Sequence, residues 1–174
     1  MSYIVLRGNW CNIIVLNVHA ATKEESCDSK DTFCEEVEQV FYHFPKYHMN
    51  IVLGDFNAKV EGENIFKLII GNESLHQDSN ENGVRIVNFA TSKNLVNNSM
   101  IFLHRNVHKY TWTTHDGKTH NLIDHILMDR RWYSSILNVR SVGGVDCNAD
   151  HYLMVAKVRE RLPVNKQGAQ KFDV

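Results

Sequence analysis

The chain has 174 residues, enough for one domain that buries roughly 70% of the surface its unfolded form exposes. Apolar residues make up 43% and charged residues 22%, as in soluble globular proteins, and two prolines leave no room for a Pro-rich linker. A net charge of −1 excludes a uniformly basic nucleic-acid-binding chain, although residues 104–140 carry six Lys/Arg against three Asp while residues 24–38 carry seven acids against one Lys.

In chain order, residues 3–6 and 12–18 are rich in Ile, Val and Leu around Arg7-Gly8-Asn9 and read as a hairpin whose second strand is central. Residues 23–31, acidic and polar, read as a loop. Phe33, Val37, Val40, Phe41 and Phe44 form one apolar stripe at helical spacing, and Pro45 ends it. Asn50 to Leu53 read as a short buried strand stopping at Gly54. Strand, helix, strand implies a parallel crossover with the helix on one face. Residues 58–82 read as a long loop with a turn at Asn82-Gly83. A helix over 84–93 is expected to turn Val84, Val87 and Ala90 inward, and Leu95 to Phe102 reads as a strand. Tyr110 to Thr113, a turn at Asp116-Gly117 and Leu122 to Met128 form the next hairpin. In that last strand Leu122, Asp124, Ile126 and Met128 share a face, and an Asp on an apolar face needs a partner. Residues 136–142 and 151–158 complete the strands, and 159–174 are expected to fray. The domain is thus residues 1–158, followed by a polar tail, 159–174.

Cys11, Cys27, Cys34 and Cys147 form no Cys-x-x-Cys pair, and no Cys/His set has zinc-finger spacing, which favours reduced thiols. The run Ile13 to Leu16 is too short for a signal-peptide core or a membrane span. The expectation is an intracellular protein, nuclear or cytoplasmic, with no membrane partner.

Three stretches carry chemistry: Gly54-Asp55-Phe56-Asn57, Ile123-Asp124-His125 and Ala149-Asp150-His151. Alternation along an extended chain points Asp55 and Asn57 the same way and Phe56 into the core. Hydrolysis of a phosphodiester needs a base, a donor or cation for the phosphoryl oxygens, and hard oxygen ligands for a metal. Three Asp, one Asn and one His at strand ends supply most of that set. His125 lies on the face opposite Asp124 and reads as structural.

In order and spacing these stretches resemble the C-terminal half of the endonuclease/exonuclease/phosphatase superfamily. With Asn17-Val18-His19-Ala20, Asn80-Glu81-Asn82-Gly83 and Tyr110-Thr111-Trp112 they resemble the endonuclease domains of LINE-type retrotransposons over almost the whole chain. The resemblance implies metal-assisted cleavage of DNA with Mg²⁺ or Mn²⁺. On the matching residues it implies that Asp55 positions or activates water, Asn57 supports that geometry, His151 contacts the scissile phosphate, Asp124 orients His151, and Asp150 lies on the metal side. His19 and Thr22 would face substrate; Trp112 either stacks on a base or sugar, as aromatic faces do, or packs in the core. His19 stands where the family often has Tyr, and Thr22 where it often has Asn.

The superfamily's other half supplies an Asn and a metal-binding Glu, and Glu24, Glu25 and Glu63 match neither motif. The expected fold is therefore α/β: the C-terminal half of a four-layer αββα sandwich, with one mixed β-sheet, helices on one face and the N-terminal half missing. The expected function is that of a truncated LINE-derived, metal-dependent endonuclease-like domain with weak metal binding and little activity. The alternative is a non-catalytic protein that binds a partner, a second copy or the missing half through the exposed sheet face or a basic surface. Strands apolar on both faces belong to sheets covered on both faces, so one face is expected to be left bare.

Overall fold

The computed structural model describes residues 1–22, 24–62, 73–143 and 150–160; Glu63, Asn64, Asn72, Cys147, Ala149 and the tail from residue 161 lie outside the described residues. Strands β1 (Ser2–Leu6), β2 (Ile13–His19), β3 (Met49–Asp55), β4 (Leu95–Asn97) and β7 (Asp124–Asp129) form one mixed sheet in the order β1-β2-β3-β7-β4. β1 and β2 make the expected antiparallel hairpin, and β2 and β3 are parallel, joined across helix α1 (Cys27–Tyr42). β7 runs antiparallel to both β3 and β4.

β3 runs two residues beyond Leu53, because Gly54 remains paired with Val18 on one side and His125 on the other. Its φ is +142°, and a Cβ there would lie 1.9 Å from the Val18 carbonyl oxygen, so only glycine fits between the two neighbours.

α1 begins six residues earlier than its apolar stripe, inside the stretch expected to be a loop. Ser26 caps it by accepting the Ser29 N–H, and Asp28 sits in the first turn, where the helix dipole favours an acid. Charges of α1 meet helix α2 (Glu81–Ser92) and its C-cap: Arg85 reaches Asp31 at 2.8 Å, Lys93 reaches Glu38 at 3.1 Å, and Lys30 reaches back to Glu81 at 2.9 Å. Lys30 and Asp31, charges of the stretch that reads as loop, belong to an inter-helix seam. α2 itself starts at the Asn80 cap, so Asn82-Gly83 is the first helical turn and not a loop turn. Ile86, Phe89 and Ala90 are buried, while Val84 is 51% exposed, which rotates the inward face from the one expected.

Both helices cover the same face of the sheet, packing Phe33, Val37, Val40, Phe41, Phe44, Ile86 and Phe89 onto Leu16, Val18, Val52 and Leu127. β4 is shorter than expected, since the Asn97 side chain accepts the Ser99 N–H and turns the chain into a 3₁₀ segment, Asn98–Met100. The predicted strand over 122–128 is broken: β5 (Trp112–Thr113) forms a two-stranded sheet with β6 (His120–Asn121), and β7 starts after Leu122-Ile123, which leaves Leu122 in the helix-side core.

β8 (Ile136–Val142) and β9 (Leu153–Val158) do not join the main sheet. They form a separate antiparallel pair over its second face, where Trp132, Ile136 and Val139 pack against Met49, Ile51, Ile126 and Met128. β8 alternates between buried Ile136, Val139 and Ser141 and exposed Leu137 and Arg140, the pattern of a strand covered on one side only. The second face is therefore partly covered and not bare. Tyr3, Ile4, Val5 and Leu6 of edge strand β1 nevertheless remain 49–58% exposed, and Leu153 and Val155 on the outer side of β9 are exposed too. The Glu160 carboxylate accepts backbone N–H groups of Asn9 and Trp10, tying the end of β9 to the β1–β2 turn.

Candidate active site at the strand ends

Register brings the site together. His19 pairs with Asp55 across β2 and β3, and Asp55 pairs with Asp124 across β3 and β7. Three titratable residues thus stand side by side at the C-terminal ends of β2 and β3, the usual position for a site in an α/β sheet. Two carboxylates directly opposite one another repel, so the row costs stability and reads as function rather than support. His151 is brought alongside through an isolated antiparallel bridge to Trp112, flanked by bonds from Thr113 N–H to the Asp150 carbonyl and from Tyr152 N–H to the Thr111 carbonyl.

Ligand atoms of Asp55, Asp124 and His151 all lie within 4.8 Å of one another, and this is the one such group among the described residues. His151 Nδ1 is 3.6 Å from Asp124 Oδ2, an ion-pair contact too long for a hydrogen bond, and Oδ2 is buried with no hydrogen-bond partner among the described residues. A buried carboxylate oxygen left in this way is an open ligand position. Burial pushes the Asp124 carboxyl above the usual carboxylate range, a hydrogen bond from Thr111 opposes that, and the nearby Asp55 charge adds to the rise. Two carboxylates and an imidazole are donors a divalent cation accepts, so the residues fit such an ion, with three protein ligand atoms where hard cations take six or more.

Asp55 is locked by its neighbours. Its Oδ1 accepts the Asn57 N–H at 2.8 Å, an Asx turn that places Asn57 in the left-handed region at φ 47°. The Asn57 carboxamide donates to the Ala20 carbonyl at 3.0 Å, Ala20 N–H donates to the Asp55 carbonyl, and Phe56 is buried as predicted. His19 is exposed, with Nδ1 3.6 Å from Asp55 Oδ2. Thr22 is bonded to Glu25, Trp112 is half-buried beside His151, and Asp150 is exposed with its carboxylate outside the three-residue group.

Thr111 went unnoticed in the sequence. It is fully buried, and its hydroxyl accepts the N–H groups of both Ile123 and Asp124 at 3.1 Å, which fixes the start of β7. Only its place inside Tyr110-Thr111-Trp112 could have drawn attention to it. His125, as expected, points away from the site and is wholly buried.

The fold is that of the endonuclease/exonuclease/phosphatase proteins. The endonuclease domain of TRAS1, a telomere-specific non-LTR retrotransposon, superposes with a TM-score of 0.62 at 16% identity, over 90% of this chain and 60% of that one. An endonuclease/exonuclease/phosphatase family protein from Leptotrichia buccalis gives 0.62 at 14% identity, over 91% and 52%. The 3′ phosphatase NExo from Neisseria, bound to a product DNA hairpin, gives 0.59 at 18%, over 91% and 65%. In sequence the chain is homologous to craniofacial development protein 2 of Bos taurus, 31% identical over 174 residues, which is 100% of this chain and 29% of that protein. The match in Tragulus javanicus is 31% identical over 166 residues, again 29% of that protein's length. No protein-family profile matches the chain. No helix among the described residues is long and apolar enough to cross a membrane.

Proposed function

We propose that the chain carries the phosphodiester-cleaving site of a LINE-derived, Mg²⁺- or Mn²⁺-dependent DNA endonuclease-like domain, with low activity. The observation that carries this reading is the convergence of Asp55, Asp124 and His151 around a buried carboxylate oxygen that accepts no hydrogen bond among the described residues. Asp55 and the free oxygen of Asp124 would hold the ion, with Asp150 as the next carboxylate on the metal side. A bound divalent ion supplies Lewis-acid polarisation of a phosphoryl oxygen and of water. Asp55 accepts the proton of the attacking water, and Asn57 holds Asp55 in place. With His151 protonated, its Nδ1–H faces the Asp124 carboxylate and its Nε2–H donates to the scissile phosphate. His19, Thr22 and Trp112 line the substrate side. The low activity follows from the ligand count: two clustered carboxylates give weak affinity for a hard cation.

In this reading the five-stranded sheet and its helices are one half of a four-layer sandwich, and β8 and β9 lie where the second sheet packs. A second reading is favoured by the exposed apolar residues of β1 and β9: a non-catalytic protein whose sheet surface captures a second copy or a partner that completes the sandwich. Supercoiled plasmid incubated with Mg²⁺ or Mn²⁺ separates the two. Slow nicking that disappears in Asp55→Ala and Asp124→Ala supports the endonuclease. Nicking unchanged by both substitutions, or none at any enzyme concentration, supports the binding protein.

A further inference from the structure

Among the described residues the motif Asn80-Glu81-Asn82-Gly83 makes no hydrogen bond to the side chains of Asp55, Asp124 or His151, yet its two carboxamides are committed almost entirely to the backbone that presents Asp55. Asn82 is buried, and its Nδ2 donates to the carbonyls of Ala21 at 3.0 Å, Phe56 at 3.3 Å and Asn57 at 3.4 Å. Asn80 donates from Nδ2 to the Asn57 carbonyl at 2.9 Å, while its Oδ1 accepts Lys59 N–H at 2.9 Å and Gly83 N–H at 2.8 Å. A Cβ on Gly83 would stand 1.9 Å from the Lys59 carbonyl oxygen, so the first turn of α2 is seated directly on this loop.

Caps of a helix ordinarily satisfy the helix's own N–H groups, and one acceptor does that here. The remaining contacts serve the loop. Asn57 holds a left-handed backbone, which costs a non-glycine residue energy and persists only when its surroundings impose it. Four donor–acceptor contacts from Asn80 and Asn82 converge on residues 56, 57 and 59, and a fifth reaches Ala21 in the loop that follows His19. One buried carboxamide therefore spans both loops whose strands carry His19 and Asp55.

We propose that Asn82, assisted by Asn80, is a positioning residue for the site. It holds the 20–21 and 55–57 segments in register so that the Asx turn at Asn57 aims the Asp55 carboxylate at Asp124 and His151. The consequence for metal binding rests on the reading of that group as a divalent-cation site; the consequence for loop geometry does not. Groups of this kind, one step removed from the ligands, change metal affinity by about 10–100-fold when altered.

The test replaces the donor by an acceptor of the same shape, Asn82→Asp, in the full chain, and compares it with Asn88→Asp on the exposed side of the same helix and with Ile136→Ala, which lowers stability from the opposite core. The first readout is the amide signal of Asn57 in ¹H–¹⁵N spectra, displaced downfield by its bond to Asp55. Asn82→Asp is expected to abolish that displacement and to shift Ala21 with it, while Asn88→Asp and Ile136→Ala leave both unchanged. The second is selective broadening of the Asn57 and Asp124 amides by Mn²⁺, expected to require about tenfold more Mn²⁺ in Asn82→Asp. An unchanged Asn57 signal in Asn82→Asp, or an equal change in Ile136→Ala, overturns the proposal. Absence of Mn²⁺ broadening in the unsubstituted chain overturns the metal reading alone. If Asn82→Asp does not fold, Asn82→Ser, which shortens the donor without adding charge, gives the same comparison.

Discussion

Acidification is expected to unfold this protein through His125. The ring is wholly buried, with Nε2 2.8 Å from the Ala58 carbonyl oxygen and Nδ1 3.0 Å from Asn97 Nδ2. A carbonyl only accepts, so Nε2 carries the proton and Nδ1 is the acceptor. Protonating Nδ1 would set two donors face to face. Asn97 cannot relieve this by turning its amide over, because its oxygen already accepts the Ser99 N–H. Burial lowers the imidazole from its ordinary 6.5 to about 4, partly offset by the bond to Ala58. A depressed folded value means that the stabilisation is fully present above pH 6.5 and is lost as pH falls towards 4. A shift of that size corresponds to about 3 kcal/mol, a sizeable part of the 5–15 kcal/mol that holds a domain together.

Urea unfolding at pH 7, 6, 5 and 4, on the unsubstituted chain and on His125→Gln, measures it. His125→Gln is expected to be less stable at pH 7, since its amide cannot span both partners, but to lose about 3 kcal/mol less between pH 6.5 and 4. Parallel pH profiles for the two proteins would refute the assignment of this loss to His125.

Gly54→Ala, which forces a Cβ towards the Val18 carbonyl at positive φ, is expected to cost at least about 3 kcal/mol and to abolish a cooperative thermal transition. Thr111→Val keeps the shape of the side chain but strands the N–H groups of Ile123 and Asp124, for an expected loss of about 3 kcal/mol in urea unfolding. Light scattering at micromolar concentration is expected to show self-association that Ile4→Lys together with Val155→Lys reverses; a monomer in the unsubstituted chain would show that these exposed residues are not an interface.

The order of elements was legible because two periodicities are strong in this chain: the runs of Ile, Val and Leu at β1, β2 and β3, and the aromatic stripe of α1. The strands that carry Asp55 and Asp124 were legible from their apolar runs, but not where they end: β3 runs on to Asp55 and β7 begins at Asp124. The start of α1 was not legible, because acids that serve an inter-helix seam have the composition of a loop. The placement of β8 and β9 on a separate layer was equally hidden, since their apolar residues look like those of a central strand until burial shows which face is covered. Register was beyond reach as well. Nothing in the spacing of His19, Asp55 and Asp124 says that they are cross-strand neighbours, because a one-residue slip would have parted them. Thr111, Asn80 and Asn82 act through hydrogen bonds to backbone, and such partners leave no trace in residue type.

The most direct test of the site is a crystal soaked in Mn²⁺, with diffraction recorded for anomalous scattering. The account predicts a peak within ligand distance of the Asp55 and Asp124 carboxylates, beside His151, that vanishes in Asp124→Asn. A Mn²⁺ peak elsewhere, for instance among the acids of α1, with none between Asp55 and Asp124, would contradict it.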